Sequence, residues 1–235
     1  MMLTSQNVLD VETPNFDAIL AQYGISMGFG AIFEQDTNKM LQNAPEMIIT
    51  EVNASFMSNI GMTMQVCLID AGKIEFAESE KLEELGVEYE VIATTSEKAF
   101  VRTNFDISSY SKTEQDGEEG SAVVGALVTK SISDDVQSEM IIYSNEVFVT
   151  DMQIPVSMQY YAYAVDLYNN KDVVLNSISH LTERTDTITI RKTSETENYT
   201  VTEQEDAVIK TIIFVLPVLI IGMGIVIWQV RRRKK

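Results

Sequence analysis

The chain has 235 residues, enough for one medium domain or two small ones, and its 45% apolar and 22% charged residues exclude a disordered chain. Five of the 17 Lys and Arg are the last five residues, so residues 1–210 hold 12 cationic against 35 acidic side chains, a net −23. Such a surface is repelled by nucleic acid and by anionic lipid, which argues against either as a ligand. Cys67, the single cysteine, excludes an internal disulfide and a cysteine-based metal site. It lies in the run Met64-Gln-Val-Cys-Leu-Ile69, where a thiol reads as a small buried hydrophobe.

In chain order, Asn15 is placed to cap a helix with Phe16, Ile19, Leu20 and Tyr23 on one face, ended by Gly24. Residues 62–70 read as a strand. Residues 79–85 read as a short helix capped by Ser79 and closed by Gly86. Val87, Tyr89, Val91 and Ala93 then alternate as a strand, and residues 99–103 are a further strand candidate. Residues 108–120 (SSYSKTEQDGEEG) are polar and rich in turn formers, as in a mobile loop or a seam between two lobes. Their Asp116, Glu118 and Glu119 lack the ligand spacing of a calcium loop.

Residues 122–130 and 139–150 carry the apolar runs of buried strands. Residues 155–168 predict a helix whose Tyr160, Tyr161, Tyr163 and Tyr168 pack against a sheet. Asp172 is placed to cap a helix over 173–181, with Val174, Ile178 and Leu181 on one face. Thr187-Ile-Thr-Ile-Arg191 alternates as a strand. Strands and helices alternate along residues 1–193, which predicts an α/β layered fold.

Residues 194–210 form a polar stalk. From Thr211 to Val230 there are 20 residues without a charge, TIIFVLPVLIIGMGIVIWQV. At about 1.5 Å per residue they span roughly 30 Å, the hydrocarbon thickness of a bilayer. Pro217, Gly222 and Gly224 are tolerated in a lipid-embedded helix, and Trp228 sits where an interfacial aromatic belongs. Gly222-Met-Gly224 is not a GxxxG pattern and implies no helix dimer. Arg231, Arg232, Arg233, Lys234 and Lys235 follow, and the positive-inside rule places them in the cytoplasm with residues 1–210 outside. The first ten residues have neither a basic nor an apolar stretch and so are no export signal. The orientation therefore predicts a longer protein, with an export signal or another membrane helix ahead of Met1.

No catalytic constellation emerges. His180 is the only histidine, beside Ser179 and Leu181, and the chain has no G-x-S-x-G, Walker A or G-x-G-x-x-G sequence. Gly28-Phe-Gly30 is too short to count, and Glu146 with Asp151 is a pairing that 35 acids produce by chance. Asn53-Ala-Ser55 and Asn198-Tyr-Thr200 match the glycosylation pattern, which matters only in a eukaryotic secretory pathway. The expectation is a non-enzyme without cofactor or metal.

Several stretches in series resemble the auxiliary, non-ATPase component of bacterial ABC transport systems, the gliding-motility (GldG-like) family. They are the helix Pro14-Asn-Phe-Asp-Ala-Ile-Leu-Ala-Gln-Tyr-Gly-Ile25, the strand end Ser144-Asn-Glu-Val-Phe-Val-Thr-Asp151, and Asp172-Val-Val-Leu-Asn-Ser-Ile-Ser-His-Leu-Thr182. Thr187-Ile-Thr-Ile-Arg-Lys192 and the Arg-rich final segment follow in order, so the likeness runs from Thr13 to Lys235. Ser144-Asn-Glu146 stands where members carry Gly-Asp-Ser, so no ligand role is carried over there. The resemblance implies an open α/β domain of glutamine-amidotransferase-like type without its catalytic residues. It also implies an ABC permease and ATPase as partners, and an outer half preceding the part seen here. The alternative is a membrane-anchored binding or adhesion module that holds a basic ligand or cations on an acidic face.

Overall fold

The computed structural model describes residues 1–4, 13–60, 63–106, 109–157 and 160–182, with the single positions Pro217, Met223, Trp228 and Arg232. The elements are β1 (Met2–Leu3), α1 (Pro14–Gln22), β2 (Ile25–Met27), β3 (Ala31–Phe33), β4 (Met47–Val52), β5 (Met64–Ile69) and β6 (Ile74–Phe76). They continue with α2 (Ser79–Leu85), β7 (Val87–Thr94), β8 (Phe100–Arg102), β9 (Val123–Ser133), β10 (Val136–Tyr143), β11 (Gln153–Ser157), β12 (Tyr160–Tyr163) and α3 (Asn170–Leu181). The fold is mixed α/β around an open, curled sheet.

The main sheet runs β1-β10-β9-β7-β4-β5, and β6 joins it at Ile74–Val123 while pairing with β2. Every pairing in it is antiparallel except β1 with β10. Short connections between neighbours, such as the turn from β9 into β10, allow only antiparallel pairing; parallel strands need a crossover of a dozen or more residues. One face of the sheet packs Ile48, Leu68, Ile92, Leu127, Ile141 and Tyr143 against Val173 of α3. The other packs Ala126, Val128 and Ile142 against Leu20 of α1 and Leu82 of α2. A third cluster joins Ile49, Cys67 and Ile69 to Ile154, Ala164 and Leu167.

The predicted helix ends hold better than the predicted caps. Helix α1 starts at Pro14, whose missing N–H suits the first turn, with Thr13 rather than Asn15 at the cap position. Gly24 ends it at φ +63°, and a Cβ there would meet Leu82 Cδ2 at 2.3 Å. Helix α2 spans the predicted residues and stops at left-handed Gly86, but Ser79 is its first helical residue and Glu78 the cap position. Helix α3 starts at Asn170 instead of after Asp172. Its buried residues are Asn170, Val173 and Ser177, with Val174 and Leu181 partly buried and Ile178 44% exposed. The buried stripe thus lies one residue away from the predicted one.

Residues 155–168 are not a helix. They form most of the β11–β12 hairpin, pairing Gln153–Tyr163, Ile154–Ala162 and Pro155–Tyr161, and then a 3-10 turn over Ala164–Asp166. Tyrosine and valine favour strands, and Pro155 is tolerated because this is a two-stranded edge ribbon. Tyr160, Tyr161, Tyr163 and Tyr168 are exposed rather than packed on the sheet.

The stretch 187–192, the stalk 194–210, Thr211, Gly222, Gly224, Val230 and the terminal Arg231, Arg233, Lys234 and Lys235 lie outside the described residues. Pro217, Met223, Trp228 and Arg232 are helical, and the Arg232 guanidinium lies 5.2 Å from the Trp228 ring centroid. Among the described residues no helix is long and apolar enough to cross a membrane.

Candidate functional site

Strands β4 and β7 meet through one bridge, Val52–Ala93. Strand β7 carries register shifts on both sides of Ala93, and the extra residue twists it away from a long ladder. Around the bridge, Asn53 N–H donates to Ile92 O at 2.7 Å, and the Thr50 hydroxyl donates to Thr94 O at 2.5 Å.

Two clefts border this junction. One of 680 Å³ is lined by Glu51, Asn53, Ser55, Thr63, Met64 and Glu90. The other, of 350 Å³, shares Glu51 and Asn53 and adds Lys39, Thr95 and Ser96. Glu90 is held in place: its carboxylate accepts the Ser55 N–H at 2.7 Å and the Ser55 hydroxyl at 2.6 Å. Glu51 is half exposed and 3.8 Å from Lys39 Nζ. The arrangement offers carboxylate and amide oxygens to a cation or a basic side chain. Among the described residues no group of three or more His, Cys, Asp or Glu could hold a metal.

The groups singled out in the sequence lie elsewhere and apart. Cys67 is fully buried on β5, and burial pushes its thiol up to about 12, far from a reactive thiolate. His180 stacks on Phe56 at 4.5 Å and 16°. Its Nε2 lies 3.1 Å from Glu139 Oε2 without hydrogen-bond geometry, so the contact is an ion pair only when the ring is protonated. Glu146 and Asp151 flank the 3-10 turn Val147–Val149 and are exposed. Gly30 is left-handed at φ +117°, where a Cβ would stand 2.6 Å from Arg102 O. Asn198 is outside the described residues.

Several polar groups whose partners the sequence does not reveal hold the loops. Arg102 on β8 is 2% exposed, with its guanidinium 4.5 Å from the Phe33 ring centroid and 5.3 Å from that of Phe100. It pairs in bidentate fashion with Asp116 and donates to the carbonyls of Ser109 and Ser111. Asp116 also accepts the N–H and hydroxyl of Thr113. Residues 109–120, expected as a mobile loop or seam, are therefore tied to β8. The buried Glu34 carboxylate accepts the N–H groups of Gln35, Asp36 and Ser96 and the Ser96 hydroxyl. Asn170 closes the outer edge of β5: its Oδ1 accepts Cys67 N–H at 2.9 Å and its Nδ2 donates to Cys67 O at 3.1 Å. Asn169 does the same at Gln65, where its Oδ1 accepts the N–H and its own N–H donates to the carbonyl.

The chain matches no protein-family model, no curated protein and no solved structure.

Proposed function

We propose that this chain is a non-catalytic, membrane-anchored auxiliary subunit of an ABC-type transporter, working through contact with a multi-pass permease and its ATPase. The observation that carries this reading is the uncharged run Thr211 to Val230 closed by five cations, behind a stretch of net charge −23. That polarity sets the acidic domain outside the cell membrane and the basic tail in the cytoplasm. The ordered likeness to the GldG-like family supplies the transporter. Two segments of that likeness are structural elements of the described fold: Asp172 to Thr182 is nearly all of α3, and Pro14 to Ile25 is α1 with the start of β2. The non-catalytic part is supported by where the reactive groups stand, with Cys67 buried and His180 stacked on Phe56. The finer likeness to an amidotransferase-like domain has the mixed α/β content and the open sheet in its favour. The decisive experiment is affinity capture of the full chain from native membranes after mild cross-linking. Recovery of a permease and an ATPase is the expected result, and recovery of neither overturns the reading.

A second reading is favoured by the clefts beside Val52 and Ala93. Glu51 and Glu90 there give an acidic binding module a place to hold a basic ligand, with the helix as a passive anchor. Replacing residues 211–230 by an unrelated membrane helix separates the two. Binding survives the exchange in a passive module, and transport is lost in a transporter subunit.

A further inference from the structure

The β11–β12 hairpin stands out from the surface around it. Residues 152–165 contain no charged side chain, within a stretch of net charge −23. Its inner face is anchored: Ile154 is buried, Ala162 and Val156 pack beside it against Ile49 and Cys67, and the Gln42 amide donates to Pro155 O. Among the described residues nothing covers its outer face. Pro155 and Tyr161 are a cross-strand pair on that face with Gln153 and Tyr163 next to them, and all four are exposed. Tyr160, Tyr161 and Tyr163 are 62%, 58% and 47% exposed, and Met152 beside the hairpin is 50% exposed. A ribbon held rigidly from behind thus presents aromatic rings that no part of the described structure buries.

The size of this face decides what it suits. At ~200 Å² for a whole tyrosine, Tyr161 and Tyr163 expose roughly 200 Å² on this face. That is well short of the ~800 Å² per partner in a stable protein–protein interface. A small neutral aromatic face works when something else supplies proximity. A tether to a bilayer does so, because the face then meets the surface at a high effective concentration. Tyrosine suits the headgroup layer, where its ring is partly out of water and its hydroxyl stays hydrated. The absence of charge matters as much. The surrounding acidic surface is repelled from lipid phosphates, and this ribbon is not.

We propose that the outer face of the β11–β12 hairpin, centred on Tyr161, Tyr163 and Pro155, rests in the headgroup region of an electrically neutral bilayer. The proposal rests on the membrane-anchor reading above. It is tested on the full chain in phosphatidylcholine nanodiscs, with a nitroxide label on Y161C and, separately, on Y163C. Cys67 is buried and stays unlabelled. I132C, at a site 60% exposed and close to Asp134 and Asp135, is the aqueous control. Collisions with a water-soluble nickel chelate are expected to be at least threefold rarer at 161 and 163 than at 132, with collisions with oxygen more frequent. Equal nickel accessibility at all three sites in a chain that has entered the nanodisc overturns the lipid contact and leaves the anchor standing. A chain that does not enter the nanodisc overturns both. Protection from nickel without gain in oxygen exposure, seen only when a permease is co-reconstituted, assigns the face to protein and overturns the lipid contact.

Discussion

Arg102 and Asp116 meet through two hydrogen bonds of 2.8 and 2.9 Å, with their side chains 2% and 0% exposed. A buried pair of this kind rarely adds much over an apolar pair of the same shape, but losing one partner strands the other charge in the interior. Here the stranded group would also lose the loop built upon it, because the guanidinium carries the carbonyls of Ser109 and Ser111 as well.

R102A is therefore expected to lower unfolding stability by about 3–5 kcal/mol. R102K is expected to fail as a replacement, because an ammonium cannot reproduce the bidentate fork or lie flat on Phe33. Urea unfolding followed by circular dichroism checks both, and an R102K midpoint equal to that of the parent chain refutes the bidentate role.

Acid sensitivity follows from the same pair. The hydrogen bonds from Arg102, then those from Thr113, hold the Asp116 carboxyl down at about 2, below its ordinary 3.8. A carboxyl depressed in the folded state contributes stability that is fully present above pH 3.8 and is lost as pH falls through 2. The contribution is about 2 kcal/mol. From pH 5 to pH 2 the parent chain should lose about that much more stability than D116N, and parallel pH profiles would exclude the linkage.

Asn170 is the test of how the sheet edge is closed. N170L fills a similar volume but leaves the N–H and C=O of Cys67 without their partners, an expected loss of about 2–4 kcal/mol. Hydrogen exchange locates the effect: the Cys67 amide should lose protection well beyond the global change. Uniform loss of protection across β4 and β5 would point to general destabilisation instead.

Cys67 should behave as packing material. With its thiol raised to about 12 by burial, it should resist a disulfide reagent at pH 8 in the folded chain and react at the rate of unfolding. Any hydrolase activity found in the purified protein should survive C67S and H180A if the chain is non-catalytic. Loss of such activity in either variant, with the fold intact, would reopen the enzymatic reading.

The sequence spoke clearly where one local signal and the tertiary environment agree. Gly86 stops α2 because a left-handed residue is needed there, and Val87 starts β7 beside it. It misled at α3, because the helix is positioned by Asn169 and Asn170 on the β5 edge, and a side-chain amide substituting for a strand leaves no periodic trace. It misled at 155–168, where a mixture of alanine, valine and tyrosine satisfies both periods over so short a run. The antiparallel order was hidden for a different reason, since alternating helices and strands constrain composition but not crossover geometry. The pairing of Arg102 with Asp116 left no trace in the sequence. One is a lone cation in a three-residue strand, the other one acid among four in a polar loop. The acidic clefts share that difficulty, because they exist only where β4 and β7 part, a property of pairing between strands distant in the chain.

The amides of Asn169 and Asn170 have a further consequence for life in a crowd. A free strand edge is a template onto which any extended chain can add, and repeated addition is how aggregates elongate. At β5 two alternate residues are already answered by side chains that project from a helix, so nothing presents itself for the next strand to continue. The opposite end of the sheet, β1, is two residues long and offers too little to copy. The main run of the sheet is terminated at one margin by substitution and at the other by brevity, which leaves a neighbouring copy little to extend at either of those two ends.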